Sequence, residues 1–178
     1  MYEKVGYGGS RMNLTVLKAV PEDAGEIIEY LKTVGGESDN LLFGEEGLHI
    51  SIEQEEELIR RVNGGEKSAM LLAKTDSEIV GVCQMTGFNR ERIAHRGEIA
   101  ISVKKEYWGR GVGSRMMEAL LSFAKEIGLD VVSLEVRSDN LKAISLYKKY
   151  GFESFGTFKK FFKINGRYYD AEFMNRYM

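Results

Sequence analysis

Several things are scarce in this chain of 178 residues, and each scarcity removes a class of protein. The single cysteine, Cys83, excludes a disulfide framework or a cysteine-built zinc cluster within one chain. Two histidines, His49 and His95, are too few for a multi-histidine metal site, so no metal is expected. No apolar run approaches the ~18 residues of a membrane-spanning helix, and Met1 to Val20 lacks the shape of a secretory signal. A formal net charge of −2 gives no bulk attraction to nucleic acid. Arg90, Arg92 and Arg96 are too small a basic group to change that. These absences leave the expectation of a soluble, cytoplasmic, single-domain protein, with a loose leader over 1–12 and one domain over 13–178.

Glycine is not scarce: there are 20. Much of it punctuates. Leu14 to Val20 alternates as a strand, and Pro21, the only proline, stands where a helix starts, because its missing N–H is an orphan there anyway. Ile27, Ile28, Leu31 and Val34 form an apolar face that Gly35–Gly36 is expected to end. Ser51 with Gln54 is a capping-box signature opening a helix closed by Gly64–Gly65. Short apolar runs on either side of Asp76–Ser77 predict a hairpin. In the strand from Glu98 to Val103, Ile99, Ile101 and Val103 share one face while Glu98, Ala100 and Ser102 share the other. Val112, Met116, Leu120, Ala124 and Ile127 recur at helical spacing, and Gly128 stops them. A strand follows from Val131 to Val136, then a short helix capped by Asn140. Asn165–Gly166 between two strand-like runs predicts a type I′ hairpin, in a register that sets Lys159 opposite Glu172. The order β-α-α-β-β-β-α-β-α-β-β predicts a mixed α/β (α+β) domain and not an alternating dinucleotide-binding repeat.

Gly109, Gly111 and Gly113 fall between a strand and the clearest helix. Helix N-terminal N–H groups approached through glycine suit a phosphate, with Arg110 and Arg115 as supplementary cations; a tight structural turn is the other reading. No Lys-Ser/Thr closes the loop, so it is not a Walker A segment. In context, the run from Val103 to Leu121 resembles the acetyl-CoA-binding segment of the GCN5-related N-acetyltransferase (GNAT) superfamily. Trp108, Gly109, Arg110, Gly111, Val112 and Gly113 occupy its Arg/Gln-x-x-Gly-x-Gly/Ala positions, with Trp108 departing from the usual Arg or Gln. A second segment, Asn140 to Phe152, is similar to the family's Asn-x-x-Ala-x-x-Leu-Tyr-x-x-x-Gly-Phe pattern at each fixed position.

The resemblance implies a central mixed, mostly antiparallel twisted sheet of about seven strands with about four helices on both faces. It implies an N-acetyltransferase using acetyl-CoA as co-substrate, the alternative being a non-catalytic acyl-CoA sensor. Tyr147 would be the general acid and Glu98 the base. Packing alone also accounts for Tyr147, and a solvent-facing strand position or a pairing with Arg96 for Glu98. The backbone of Ile101 and Val103 would bind the pantetheine arm like an added strand, with Asn140 touching it too. The loop from Trp108 to Ser114 would hold the pyrophosphate. The acceptor would be a small-molecule amine or a peptide N-terminus, and a homodimer is compatible. From Glu37 to Glu57 there are eight acidic residues and no Lys or Arg, which reads as an acidic acceptor rim or as a solvated helix face.

Overall fold

The computed structural model describes residues 13–178; the leader expected over 1–12 lies outside the described residues. Seven strands make one sheet in the order β1-β2-β3-β4-β5-β7-β6. They are β1 (Thr15–Lys18), β2 (Ser68–Lys74), β3 (Ile79–Gly87), β4 (Arg96–Val103), β5 (Val131–Arg137), β6 (Glu153–Ile164) and β7 (Arg167–Tyr177). Neighbours pair antiparallel except β4 and β5, which are parallel. The four α-helices among the described residues are α1 (Ala24–Glu37), α2 (Ile52–Asn63), α3 (Val112–Glu126) and α4 (Leu141–Lys149).

Strand alternation sorts side chains into two cores. Met116, Leu120 and Ala124 of α3 meet Ala69, Leu71, Ile99, Val132 and Leu134 on one face. On the other, Ile27 and Tyr30 of α1 and Ile59 of α2 meet Met70 and Leu72. β2 is therefore covered on both sides, which explains its continuous apolar run. Ser51 opens α2 as expected, its Oγ accepting from the Gln54 N–H at 3.2 Å while Gln54 Oε1 accepts from the Ser51 N–H at 2.8 Å. Such a cap contributes about 1 kcal/mol.

Three expectations change. Gly35 and Gly36 lie inside α1, not past its end. A Cβ on Gly35 would stand 2.0 Å from the Gly44 carbonyl oxygen, so this glycine admits the 38–50 loop against the helix. Pro21 starts a 3-10 turn, Pro21–Asp23, and α1 begins after it. In the last hairpin, Asn165 (φ 48°) and Gly166 (φ 77°) take the left-handed conformations a type I′ turn needs. Glu172, however, faces Thr157 and not Lys159. The register slips between Phe158 and Phe162, where Lys160 adopts φ 59° and its N–H donates to Asp170 Oδ1 at 2.8 Å. That bulge moves Lys159 off the pairing position.

Candidate active site

The parallel pairing of β4 with β5 covers only Arg96–Val131, Gly97–Val132 and Glu98–Ser133. Beyond Glu98 the two strands part. The Lys104 N–H donates to the Val80 carbonyl at 3.0 Å, which fixes the alternation along β4. The N–H and C=O groups of Ile101 and Val103 thus point away from β3, toward the opening. An exposed strand edge of this kind accepts an extended amide chain. One of its groups is already engaged: the Val103 carbonyl accepts from the Trp108 indole N–H at 2.8 Å.

A cavity of about 760 Å³ occupies the opening. Its wall includes Ile101, Val103, Trp108, Gly109, Gly111, Val112, Gly113, Ser114, Asn140 and Tyr147, ten of the twelve residues that the sequence singled out. Arg110 and Glu98 are not in the wall. Arg110 lies exposed, its guanidinium 5.5 Å from the Tyr107 ring centroid.

The loop is held at its base by a small polar cluster. Glu78 accepts from the Tyr107 hydroxyl at 2.8 Å and pairs with the Lys104 ammonium. Lys104, then Tyr107, hold the Glu78 carboxyl below its usual range. Gly109 (φ 75°) and Gly111 (φ 84°) then adopt conformations that other residues resist, and among the described residues a Cβ on either would meet nothing within 4 Å. Space is therefore open above their backbone. The first hydrogen bond entering α3 runs from the Arg115 N–H to the Gly111 carbonyl, at 3.1 Å. The N–H groups of Gly111, Val112, Gly113 and Ser114 precede it, at the positive end of the helix dipole, where a helix supplies no intrahelical partner. Gly113 does a different job, because its Cβ would sit 3.0 Å from Leu146 of α4. It lets the two helices approach, besides lining the cavity.

Asn140 caps α4, its Oδ1 accepting from the Ala143 N–H at 3.3 Å. One turn further on, Tyr147 is 8% exposed, tilted against Phe152 at 6.1 Å between ring centroids. Burial pushes its phenol up to about 12, so it stays protonated at any working pH. Cys83 is buried on β3, and desolvation raises its thiol far above the reactive range.

Glu98 is exposed on the opposite face of β4 from Ile99. Arg96 does not pair with it; its guanidinium stands 5.8 Å from the Phe88 ring centroid. Sequence reasoning passed over Glu135 of β5, whose carboxyl is raised first by desolvation and then by the charge of Glu98. The alternation of Val132, Leu134 and Val136 into the core already carried that signal. Val34, Glu37, Ser38, Asn40 and Leu41 complete the cavity from the α1 side. Of the eight acidic residues from 37 to 57, only Glu37 lines it. Four of the other seven are spent on α2: Glu53 sits in its first turn, Glu56 and Glu57 pair with Arg60, and Glu55 is buried at 1% exposure. Half of the acidic segment is thus α2, and Asp39, Glu45 and Glu46 lie exposed in the loop before it.

An open mixed sheet with this gap and a glycine-lined helix start suits an extended ligand that carries phosphate. Residues 39–152 match the model of the acetyltransferase (GNAT) family, and the chain belongs to that family. It is 37% identical over 107 residues to the L-amino acid N-acetyltransferase AaaT of Escherichia coli, covering 60% of this chain and 66% of that protein. It is 34% identical over 104 residues to the N-alpha-acetyltransferase RimI of Mycobacterium tuberculosis, covering 58% and 63%. The matched region thus spans just under two thirds of each relative. A solved acetyltransferase of the GNAT family from Streptococcus pneumoniae superposes with a TM-score of 0.90 at 28% identity, over 93% of this chain and all of that one. Acetyl-CoA is the family's co-substrate. The residues here fit it: the cradle over Gly109 and Gly111 is open, and β4 beyond Glu98 has no strand partner on that side, its Val103 carbonyl alone being engaged by Trp108. Among the described residues no helix is long and apolar enough to cross a membrane, and no group of three metal-ligating side chains occurs.

Proposed function

We propose that this chain is an N-acetyltransferase that moves an acetyl group from acetyl-CoA directly to a primary amine, either a small cationic amine or a peptide N-terminus. Acetyl-CoA supplies an activated thioester. The observation that carries the reading is that Tyr147 lines the same cavity as the glycine loop and the free β4 edge. The N–H groups at the start of α3 bind the pyrophosphate, and the edge at Ile101 and Val103 aligns the pantetheine amides. Glu98 takes the proton of the incoming amine, directly or through water. The nitrogen bonds to the acetyl carbon as the C–S bond breaks, and Tyr147 serves the departing sulfur. Full proton transfer from a phenol near 12 to a thiolate whose acid lies near ~8.5 is uphill by about 5 kcal/mol. Tyr147 therefore acts chiefly by donating a hydrogen bond to sulfur as charge develops there.

The relatives support the acceptor class without choosing within it, being named for amino acids and for N-alpha positions. The test is release of free thiol from acetyl-CoA across a panel of amines. Release with at least one primary amine is expected. Tight binding of acetyl-CoA without release on any amine would favour a sensor.

A further inference from the structure

The sheet face turned away from α3 changes character across its width. Over β2 and β3 it is covered by α1 and α2, through Met70, Leu72 and Ile79. Past the opening it carries a strip of phenylalanines. Register sets Phe173 of β7 directly beside Glu135 of β5, and Glu135 shares this face because Leu134 and Val136 on either side of it point into the α3 core. The Phe173 ring lies 6.2, 6.5 and 5.9 Å from those of Phe155, Phe158 and Phe161, in edge-to-face pairs. Phe155 is 62% exposed and Phe158 56%. Neighbouring strands stand about 4.8 Å apart, so Phe173 lies about 5 Å and the β6 rings about 10 Å to the side of the β5 rim. Arg137 bounds the strip with its charge already committed. It donates to both Asp139 oxygens at 2.6 and 2.8 Å, and its guanidinium stacks 4.2 Å from the Tyr169 ring centroid.

A contiguous exposed apolar patch of this kind marks a binding surface. Pairing with a second copy along the sheet edge is disfavoured. β6 is the edge strand, and the slip between Phe158 and Phe162, with exposed Lys159, Lys160 and Lys163, guards it against another strand. The rings stand on the face instead, continuous with the opening that an acceptor must enter. We infer that Phe155, Phe158, Phe161 and Phe173 form a subsite for an apolar group of the acceptor, so that the enzyme selects primary amines bearing an aromatic or large aliphatic substituent near the nitrogen. Docking such a group removes apolar surface from water on both partners, and an aromatic one adds edge-to-face contact. The inference deepens the proposed acetyl transfer and rests on it in one respect: the amine is the group that enters the opening. A free amine and a peptide N-terminus share this chemistry when the side chain beside the nitrogen is large and apolar.

The test is binding by calorimetry with coenzyme A present, so that nothing turns over. The probes are phenylalaninamide and glycinamide, which carry the same ammonium and differ in the benzyl group. Wild type is expected to bind phenylalaninamide at least about 10-fold more tightly. Phe173→Ser and Phe158→Ser should each cut that preference about 5-fold, and Phe158→Leu should restore most of it. Phe158 lies exposed, so its variant keeps the test decisive if Phe173→Ser fails to fold. The peptides Phe-Gly-Gly and Gly-Gly-Gly separate the two sources. A larger preference than between the amides assigns a peptide N-terminus and an equal or smaller one a free amine, and either upholds the subsite. Equal affinity for the two amides, or an unchanged preference in the folded serine variants, overturns it. So does a wild-type dimer in sedimentation that Phe158→Ser makes monomeric. The preference without thiol release from acetyl-CoA on any amine would leave the subsite standing and remove acetyl transfer. Thiol release without the preference would do the reverse.

Discussion

The two faces of the diverging strands β4 and β5 are built on opposite rules. Toward α3, Ile99, Val132, Leu134 and Val136 are buried, with Ile101 and Val103 packed against them. On the other face, Glu98 and Glu135 stand open, and Ser133 is buried with a hydroxyl that has no partner among the described residues. One pair of strands thus carries a dry face that fixes where the opening lies and a polar face that is poorly satisfied in the free protein. Unsatisfied groups cost stability, and a protein retains that cost where a ligand relieves it.

The largest expected effect breaks the dry face. Ile99→Ala removes buried methyl groups and should cost about 3 kcal/mol, lowering Tm by roughly 6–12 °C. Ser133→Ala, one strand over, should change Tm by no more than about 2 °C in either direction, because it deletes a hydroxyl without a partner. Thermal melts of the two variants decide whether the faces differ as described. Next comes Tyr147→Phe. It should lower kcat about 100-fold while leaving Tm within a degree or two and acetyl-CoA affinity near wild type, since the ring and its contact with Phe152 remain. An unchanged kcat would reduce Tyr147 to packing.

Two glycines sharpen the same contrast. Gly81→Ala would place a Cβ 2.6 Å from Met116 Sδ on the dry side, and overpacking there should cost about 2 kcal/mol of stability. Gly111→Ala meets no neighbour and should cost only about 1 kcal/mol through its positive φ, yet raise the half-saturating acetyl-CoA concentration about 10-fold by filling the cradle. Equal acetyl-CoA affinities in both variants would count against the cradle.

The smallest effect concerns pH. Glu135 is raised in the fold, by desolvation first and Glu98 second. Its contribution to stability is therefore present below the unfolded value of about 4.3 and lost as pH rises through the higher folded value. Glu135→Gln should melt one or two degrees above wild type near pH 7, roughly, and lose that advantage near pH 4. A lower Tm at pH 7 would contradict the repulsion between the two carboxylates.

What the chain declares locally was legible in it. The loop from Trp108 to Ser114 and the segment from Asn140 to Phe152 are contiguous, so their residue types state the turn, cap and helix face together. The hairpin at Asn165–Gly166 was readable for the same reason. Nonlocal geometry was not. The length of the β4–β5 pairing depends on two strands separated by α3, so nothing near Glu98 shows that it is the last paired residue or that it stands outside the cavity wall. Gly35 looked like a helix stop, because the Gly44 carbonyl that requires it comes from a loop folded back from beyond the helix. The slip at Lys160 depends on Asp170 across the hairpin.

The central claim is that the opening between β4 and β5 seats the thioester with Tyr147 beside the sulfur. A crystal structure with acetyl-CoA bound measures this directly. The account predicts the Tyr147 hydroxyl within hydrogen-bond reach of the sulfur, at most about 3.5 Å, and the pyrophosphate on the N–H groups that open α3. Acetyl-CoA seated elsewhere, or with its sulfur well beyond that reach, would contradict it.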